Sequence, residues 1–458
     1  MAKIPQTGLF QWKQIDTASD LDRLRLVLEA LPDEPLVRLL EQRRDRGRDD
    51  YPIRPTWNAL IAGVVFQHKD AASLLRELWR NAELRALCGF EVTKGGSAVP
   101  TQDAFGRFLK LIVKHREHLV GMFHRLLDEL ALLLPDLGRK MAGDSKAIPS
   151  FGRPVRDEEK KREPDGRRDT DADWGAKTYK GVHKDGSAWE KVVKWFRYKL
   201  HLLVDSVYEM PLAFHLTKAS TGDAPELLPL VDQLAEHHLA VAERWEKPGA
   251  ECAADKGYDS KENNAALYDD HHITPVIDKR TLWKDGEKTK PLVADHADHF
   301  VYDENGRVYC VCPATSEQRD LFFVGFERDR GTLKYRCPAA ACGLTCAGRQ
   351  ECERAADVGA FGRVIRVPLE LDRRIFTPIA RPTAKWKKAY NRRSSIERVN
   401  SRIDQVLQFE HHTIRGHAKM EMRITLALIV MLAMALGRIR ANQADLMRSI
   451  TAPVRRAG

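Results

Sequence analysis

Apolar positions recur at helical spacing through the first third of the chain, then change period. Leu21, Leu24, Val27, Leu28 and Leu31 fall three and four apart, with Ser19 or Asp20 placed to cap the helix. Trp57, Leu60, Ile61, Val64 and Val65 form a second stripe. Leu74, Leu75, Leu78 and Trp79 form a third, and Phe105, Phe108, Leu109, Ile112 and Val113 a fourth. The spacing predicts helices from residue 17 to about 135. Between the first of them lies RRDRGRDD, residues 43–50. It reads as a solvated turn ahead of a phosphate-facing loop, because its aspartates dilute the arginines.

After Pro135 the pattern becomes strand-like. MAGDSKAI, ending in polar residues, reads as a short buried strand. Residues 151–190 are polar, of mixed charge and poor in aliphatics, and read as a long loop. Phe196, Tyr198, Leu200, Leu202 and Val204 then alternate with Arg197, Lys199 and His201, the period of a strand. A turn at Tyr208–Pro211 leads to a second alternating run at Leu212, Phe214 and Leu216. A helix from about Ala224 to His238 follows, then a short strand ending at Asp255, a helix at Ser260–Tyr268 and a strand at Ile273–Ile277. Strand, strand, strand, helix, strand, helix, strand is the order of a ribonuclease-H-like sheet. It would carry carboxylates at the ends of its first and fourth strands.

Residues 286–372 hold six of the eight cysteines and read as a β-rich insertion in that core. Two helices close the chain, one from Pro382 or Trp386 to Phe409 and one from Lys419 to Gln443. The expected fold class is a multidomain α+β and α/β protein. Its expected parts are a helical domain at 1–135, a first core segment at 136–285, the Cys-rich insertion at 286–372, C-terminal core helices at 373–443 and a basic tail at 444–458.

Composition adds an anionic partner. The 458 residues carry a net charge of +10, a balance that favours nucleic acid or leaves a merely basic protein. The N-terminus, MAKIPQTGLFQWKQ, lacks an apolar targeting core. The apolar run Ile424–Leu436 is 13 residues long, short for a bilayer. A cytoplasmic location with reduced thiols and no membrane partner is expected.

The candidate chemistry lies in AYNRRSSIERVNSRID. Tyr390, Arg393, Glu397, Asn400 or Ser401, and Asp404 share one helix face, and Ile396, Val399, Ile403 and Val406 lie on a neighbouring one. Alone, this is an ordinary amphipathic helix. Two upstream acids change the weighting. Asp144 follows Met-Ala-Gly and Asp255 follows Ala253 and Ala254, so each carboxylate is expected at a sheet rim. Carboxylates, water and phosphate oxygens are what Mg²⁺ prefers, and two such ions suit in-line displacement at phosphorus. Asp144 would bridge both ions, and Asp255 and Glu397 would each hold one. Arg393 suits bidentate phosphate contact, Tyr390 can donate to a phosphate, and Lys256 is a weaker contact.

These residues resemble an insertion-sequence DDE transposase of the group with a β-rich insertion between the second Asp and the Glu. That group carries a Tyr-x2-Arg-x3-Glu-x6-Lys signature, and Tyr390, Arg393 and Glu397 match its spacing. Its Lys position is Asp404 here, with Arg402 or Arg398 near enough to substitute. Gly143-Asp144-Ser145 and Asp255-Lys256-Gly257-Tyr258 resemble the family's other motifs. YPIRPTWNALIAGVVFQHKDAASLLRELWRN and VPTQDAFGRF resemble its helical N-terminal domain. The resemblance implies cleavage at transposon ends and strand transfer by the freed 3′-hydroxyl, with two Mg²⁺ or Mn²⁺ ions. It implies double-stranded DNA partners, both terminal inverted repeats and target, and a homodimer on DNA at the bacterial nucleoid. Tyr390, Arg393, Lys256 and Arg402 would contact DNA. A catalytically inactive DNA-binding relative, or a nuclease that cuts without joining, is the alternative.

The cysteines Cys310, Cys312, Cys337, Cys342, Cys346 and Cys352 exceed the four ligands of a structural zinc site. Cys312, Cys337, Cys342 and Cys346 are the preferred set, with Cys352 able to replace one; the alternative is reduced thiols that bind nothing. Cys88 and Cys252 read as core. Trp283 and Trp386 could stack on a base but read as packing, His201 as structural, and His271, His272, His411 and His412 as solvent-facing. Arg438, Arg440, Arg455 and Arg456 would add salt-dependent affinity for DNA.

Overall fold

The computed structural model of the chain describes residues 20–44, 50–152, 154, 169–183, 185–292, 299–354 and 362–455. Ser19, Arg456, most of the 43–50 turn and the middle of the expected 151–190 loop lie outside these. The chain divides into two compact units. One comprises Met1–Leu133, Pro149–Ala172 and Ser401–Gly458; the other comprises Leu134–Ile148 and Asp173–Asn400.

The first unit is helical. The four stripes fall on helices Leu21–Ala30, Ile53–Val65, Ala71–Arg80 and Gln102–Lys114. Leu24, Val27, Trp57, Ile61, Phe105 and Ile112 are buried there. Trp79 departs from the pattern: it is exposed and its ring covers Gly96. Side-chain caps start three of the helices. Asp70 accepts from the Ser73 N–H, Asn81 from Leu84 and Thr101 from Ala104. The Trp57 indole N–H and the Arg54 guanidinium both donate to Asp33.

The 13-residue apolar run is the middle of a longer helix, His417–Arg440. This helix is long and apolar enough to cross a membrane, yet 89% of its apolar window is buried, the state of a core helix. It packs against Leu21–Ala30, Ile53–Val65 and Arg116–Leu133. Its contact with Leu21–Ala30 is close: a Cβ on Gly437 would lie 2.8 Å from the Leu26 carbonyl oxygen. Gly437→Ala is therefore expected to destabilise the unit by about 1–3 kcal/mol. Gly121→Ala, in open space on Arg116–Leu133, is expected to stabilise it by about 0.5–1 kcal/mol. Urea unfolding of the two variants gives opposite shifts if this contact is right.

The second unit is built on one sheet of β1 (Lys140–Pro149), β2 (Asp173–Val182), β3 (Ala188–Asp205), β4 (Pro211–Lys218), β5 (Glu251–Ala254) and β6 (Thr274–Ile277). Its order is β2-β3-β1-β5-β6, with β4 also on β3. β1, β5 and β6 are parallel. Parallel neighbours need crossovers, and helices Leu227–His237 and Lys261–Asp269 lie in the connections to β5 and β6. Tyr198, Leu200 and Leu202 on β3 are fully buried.

Two expectations require correction. The expected loop at 151–190 contains β2 and the start of β3, paired from Asp173↔Arg197 to Val182↔Ala188. The stretch is poor in aliphatics because this ribbon buries little of either face; Trp174, Val182, Trp189 and Val192 are exposed. Gly186, at φ +86°, turns the hairpin after Asp185, a pairing that signals such turns. The expected helix ending at Phe409 is also not continuous. It comprises Ala384–Asn391, Ser394–Ser401 and a π-helical turn at Arg402–Val406. At the break the Ser394 hydroxyl donates to the Asn391 carbonyl, a local bond that competes with the helix.

Between β6 and Ala384–Asn391 lie two small sheets. β7 (Thr289–Pro291), β8 (Phe300–Asp303), β9 (Val308–Val311) and β10 (Gln318–Asp320) form one in the order β10-β9-β8-β7. β11 (Phe322–Glu327), β12 (Thr332–Arg336) and β13 (Val364–Pro368) form the other. Phe300, Tyr302, Leu333, Tyr335 and Phe376 share their core.

Candidate active site

The parallel ladder places the acids. β1 pairs with β5 from Lys140↔Glu251 to Gly143↔Ala254, and β5 with β6 as far as Ala254↔Ile277. Asp144 and Asp255 each follow the last pair of the β1–β5 ladder and Asp278 the last pair of the β5–β6 ladder; β5 and β6 end there, whereas β1 runs on to Pro149. They stand in a row at the carboxyl rim, with backbones about 5 Å apart. The small residues before them, Gly143 and Ala254, are buried in the sheet, which turns the carboxylates to its edge.

Burial pushes the Asp144 carboxyl up to about 6; the charges of Asp255 and Asp223 add to this, against the Ser145 N–H and Arg393. The Ser145 N–H donates to Asp144 Oδ1 and the Gly257 N–H to Asp255 Oδ1, each at 2.8 Å. Asp223 enters from the loop after β4. A Cβ on Gly257 would lie 2.8 Å from Asp255 Oδ1 and 3.0 Å from Asp223 Oδ2, so the two carboxylates flank this glycine. Lys199 Nζ donates to Asp223 at 3.0 Å. Tyr258 is buried beside the cluster; burial, then Asp223, Asp144 and Asp255, raise its hydroxyl well above the usual range and keep its proton on.

Helices Ala384–Asn391 and Ser394–Ser401 bring the remaining residues. Arg393 sits at their junction and donates to Glu397 Oε1 at 2.7 Å. Against burial, which opposes it, Tyr390, Glu397 and Asp144 raise the Arg393 guanidinium, so one cation lies within reach of both Asp144 and Glu397. Burial and then Asp278 raise the Tyr390 hydroxyl. Trp386 stacks on Tyr390 with centroids 5.0 Å apart, Arg381 lies over Trp386 and Arg393 over Tyr390. This column fixes the helix against the buried Ala253 and Val276 of the sheet. Arg392, with Lys140, pairs with Glu251 on β5.

Asp144, Asp255, Tyr390 and Arg393 are thus gathered, and Glu397 is tied to them through Arg393. Lys256 is exposed on the turn after Asp255. Arg398 pairs with Glu209 at 2.6 Å. In the helical unit Arg402 donates to the Arg448 carbonyl at 2.8 Å, and Asp404 lies on the π-helical turn. Two acids escaped the sequence reading. Asp278 follows Val276 and Ile277 as Asp255 follows its alanines, a signal that was available. Asp223 had none, because it comes from a loop.

The remaining candidates fall into place as follows. Arg438 is fully buried, bound to Gln443 and the Pro453 carbonyl, so it is a core residue. Arg440 pairs with Glu129 and Arg455 with Asp445. His271 pairs with Asp232 at 2.9 Å, and His412 is half-buried and accepts from the Ile414 N–H. Trp283 packs edge-on against Tyr302 under Lys290. Cys88 and Cys252 are buried.

His201 is buried and hydrogen-bonded through Nε2 to Thr217 Oγ1 at 3.0 Å. Burial lowers its imidazole to about 4. The unfolded chain therefore binds this proton first, and stability falls as pH drops from 6.5 towards 4, by roughly 3 kcal/mol from this group. Urea unfolding at both ends of that window is expected to show a smaller acid loss in His201→Gln than in wild type.

The donor set at the rim consists of carboxylate oxygens, one of which burial and its acidic neighbours drive towards protonation. That is the chemistry of a site for a hard divalent cation. Among the described residues the one trio of ligand-type side chains with ligand atoms all within 4.8 Å of one another is His115, Glu117 and His118; as a set the rim carboxylates stand farther apart than that. The trio occupies the first turn of Arg116–Leu133, where the helix dipole disfavours a cation.

Comparison with known proteins gives the family. A stretch of 80 residues is 38% identical to a putative transposase for insertion sequence element IS402 of Burkholderia cepacia, covering 18% of this chain and 37% of that relative. The chain thus spans little more than a third of the curated relative it matches. The family described as Transposase DDE domain matches residues 144–433, from the first rim aspartate through most of the buried helix His417–Arg440. That match covers well over half of the 458 residues, and the chain belongs to the DDE transposase family.

Proposed function

We propose that this transposase cuts DNA at the ends of its element and joins the freed 3′-hydroxyl to target DNA. The observation that carries the reading is the register of β1, β5 and β6, which sets Asp144 and Asp255 side by side at one sheet rim beneath Arg393. The strand order supports a ribonuclease-H-like core, with β4-β3-β1-β5-β6 as its central sheet. The two small sheets before Ala384–Asn391 stand as its insertion, and the N-terminal helices as the module that recognises terminal repeats.

Transposases of this family generally use divalent metal ions. Asp144, Asp255 and Glu397 would hold two Mg²⁺ or Mn²⁺ ions, with Asp223 and Asp278 next to them. Such ions activate an attacking oxygen and stabilise a leaving one. The chain's own groups orient the strand. Arg393, freed from Glu397, is placed to grip a non-bridging phosphate oxygen with its planar fork. The Tyr390 and Tyr258 hydroxyls keep their protons and can donate. Lys256 and Arg402 would each contact the DNA backbone. A homodimer pairing two ends fits the two reactions.

The test is incubation of the purified chain with duplexes carrying the element's termini and a target plasmid, with Mg²⁺ or Mn²⁺. Nicked ends and joined products that vanish with chelator are expected. Binding without either product would favour an inactive DNA-binding relative. Cleavage without joining would favour a plain nuclease.

A further inference from the structure

Cys312, Cys337, Cys346 and Cys352, from three separate stretches of chain, are brought near one another by backbone contacts, and Cys310 lies within electrostatic reach of all four. A Cβ on Gly348 would lie 2.9 Å from Cys312 Sγ, so this sulfur rests where the Cys346 segment enters the short helix Arg349–Arg354 that carries Cys352. The Arg349 N–H donates to the Cys346 carbonyl at 3.2 Å and the Cys352 N–H to the Gly348 carbonyl at 3.1 Å. Cys337 enters from the end of β12. Its N–H donates to the Arg363 carbonyl at 2.8 Å, and the Arg363 guanidinium lies 4.0 Å from Cys352 Sγ. Gly362 backs onto Cys337, where a Cβ would meet Cys337 Cβ at 2.9 Å and its Sγ at 3.7 Å. Cys342, by contrast, is exposed at the end of the short helix Pro338–Cys342.

We propose that Cys312, Cys337, Cys346 and Cys352 bind one structural Zn²⁺ as thiolates. Zinc takes four sulfurs in a tetrahedron at about 2.3 Å each, and the thiol protons leave to solvent on binding. Cys312 and Cys337 are each followed by proline, which fixes the backbone just past the sulfur. Thr315, Ala314 and Gly348 surround Cys312 Sγ with hydrogen-bond donors. Four thiolates around a divalent ion leave net negative charge. Arg363 faces it at Cys352, and Arg319 lies within electrostatic reach of Cys312 and Cys346. Such outer partners are a usual part of a zinc centre. Relative to the set preferred from spacing, Cys352 replaces Cys342.

No three of the described thiols lie within 4.8 Å of one another, so binding also draws the three stretches together. The ion thereby staples a lobe whose strands are short and whose shared core is small, a common use of structural zinc.

The test is zinc content of the full chain, purified reduced and dialysed against metal-free buffer. About one zinc per chain is expected. Cys352→Ser is expected to lower it about fivefold or more, and Cys342→Ser to leave it unchanged. Wild type loaded with Co²⁺ instead should give thiolate-to-cobalt charge-transfer bands and the strong visible bands of a tetrahedral centre. That measurement stands even if a serine variant misfolds. Zinc-free wild type without those cobalt bands overturns the proposal. So does loss of zinc in Cys342→Ser with retention in Cys352→Ser. Neither readout depends on DNA, so the zinc centre and the strand-transfer reading fail separately.

Discussion

Asp144→Ala and Asp255→Ala are each expected to lower strand cleavage and joining on the order of 10³-fold or more, with binding to terminal DNA kept. The size follows from the register. Both acids sit one residue past the same parallel ladder, so a cation between them loses a shared ligand whichever is removed. Groups that act as one unit are not additive, and the double variant is expected to be little worse than either single one. Asp223→Asn is expected to cost less. Its carboxylate is already paired with Lys199, and its part is to set the field at Asp144 and to pack against Gly257. Gel-resolved cleavage at several Mg²⁺ concentrations separates the cases. A residue that tunes the field shifts the metal dependence, whereas a ligand removes the product. Full activity in Asp255→Ala would remove that acid from the site. Loss of DNA binding in the same variant would place it in the fold instead.

The largest stability effect in the sheet unit is expected at a buried ion pair. Asp259 is fully buried and receives Arg374 through both Nε and Nη2, the latter at 2.6 Å, along with the Arg280 backbone N–H. Asp259 lies four residues after Asp255, and Arg280 also donates to the Lys256 and Gly257 carbonyls. This knot therefore holds the turn that aims the second acid. Removing one partner of a buried pair strands the other charge, at a typical cost of about 3–5 kcal/mol. Arg374→Met should fall at the lower end, near about 3 kcal/mol, because the guanidinium keeps some contact with water. Adding Asp259→Asn removes the stranded charge, so the double variant should regain part of the loss. Urea unfolding of both variants measures the coupling. If Arg374→Met unfolds at the wild-type midpoint, the pair does not stabilise the turn.

Much of the fold was legible because burial imposes period. The helical stripes of Trp57 and Phe105, and the alternation of Tyr198, Leu200 and Leu202, mark residues that face a core. The β2–β3 ribbon was misread for the complementary reason. It buries so little that its polarity looks like a loop's, and only its Asp185-Gly186 turn betrayed it. The break at Arg392–Arg393 was hidden as well, because Tyr390, Arg393 and Glu397 keep helical spacing across it.

The sequence by itself determined which residue types stand where chemistry could occur: small residues before Asp144 and Asp255, and Tyr390, Arg393 and Glu397 at spacings of three and four. Those are properties of local stretches, set by the preferences of a strand end and a helix face. Only the tertiary structure decided their company. Asp278 joins the row because β6 lies beside β5, Asp223 because a loop returns over the rim, and Cys352 stands with Cys337 because Arg363 bridges them. These neighbours meet through strand register and chain return, contacts between distant segments whose closeness no local period encodes.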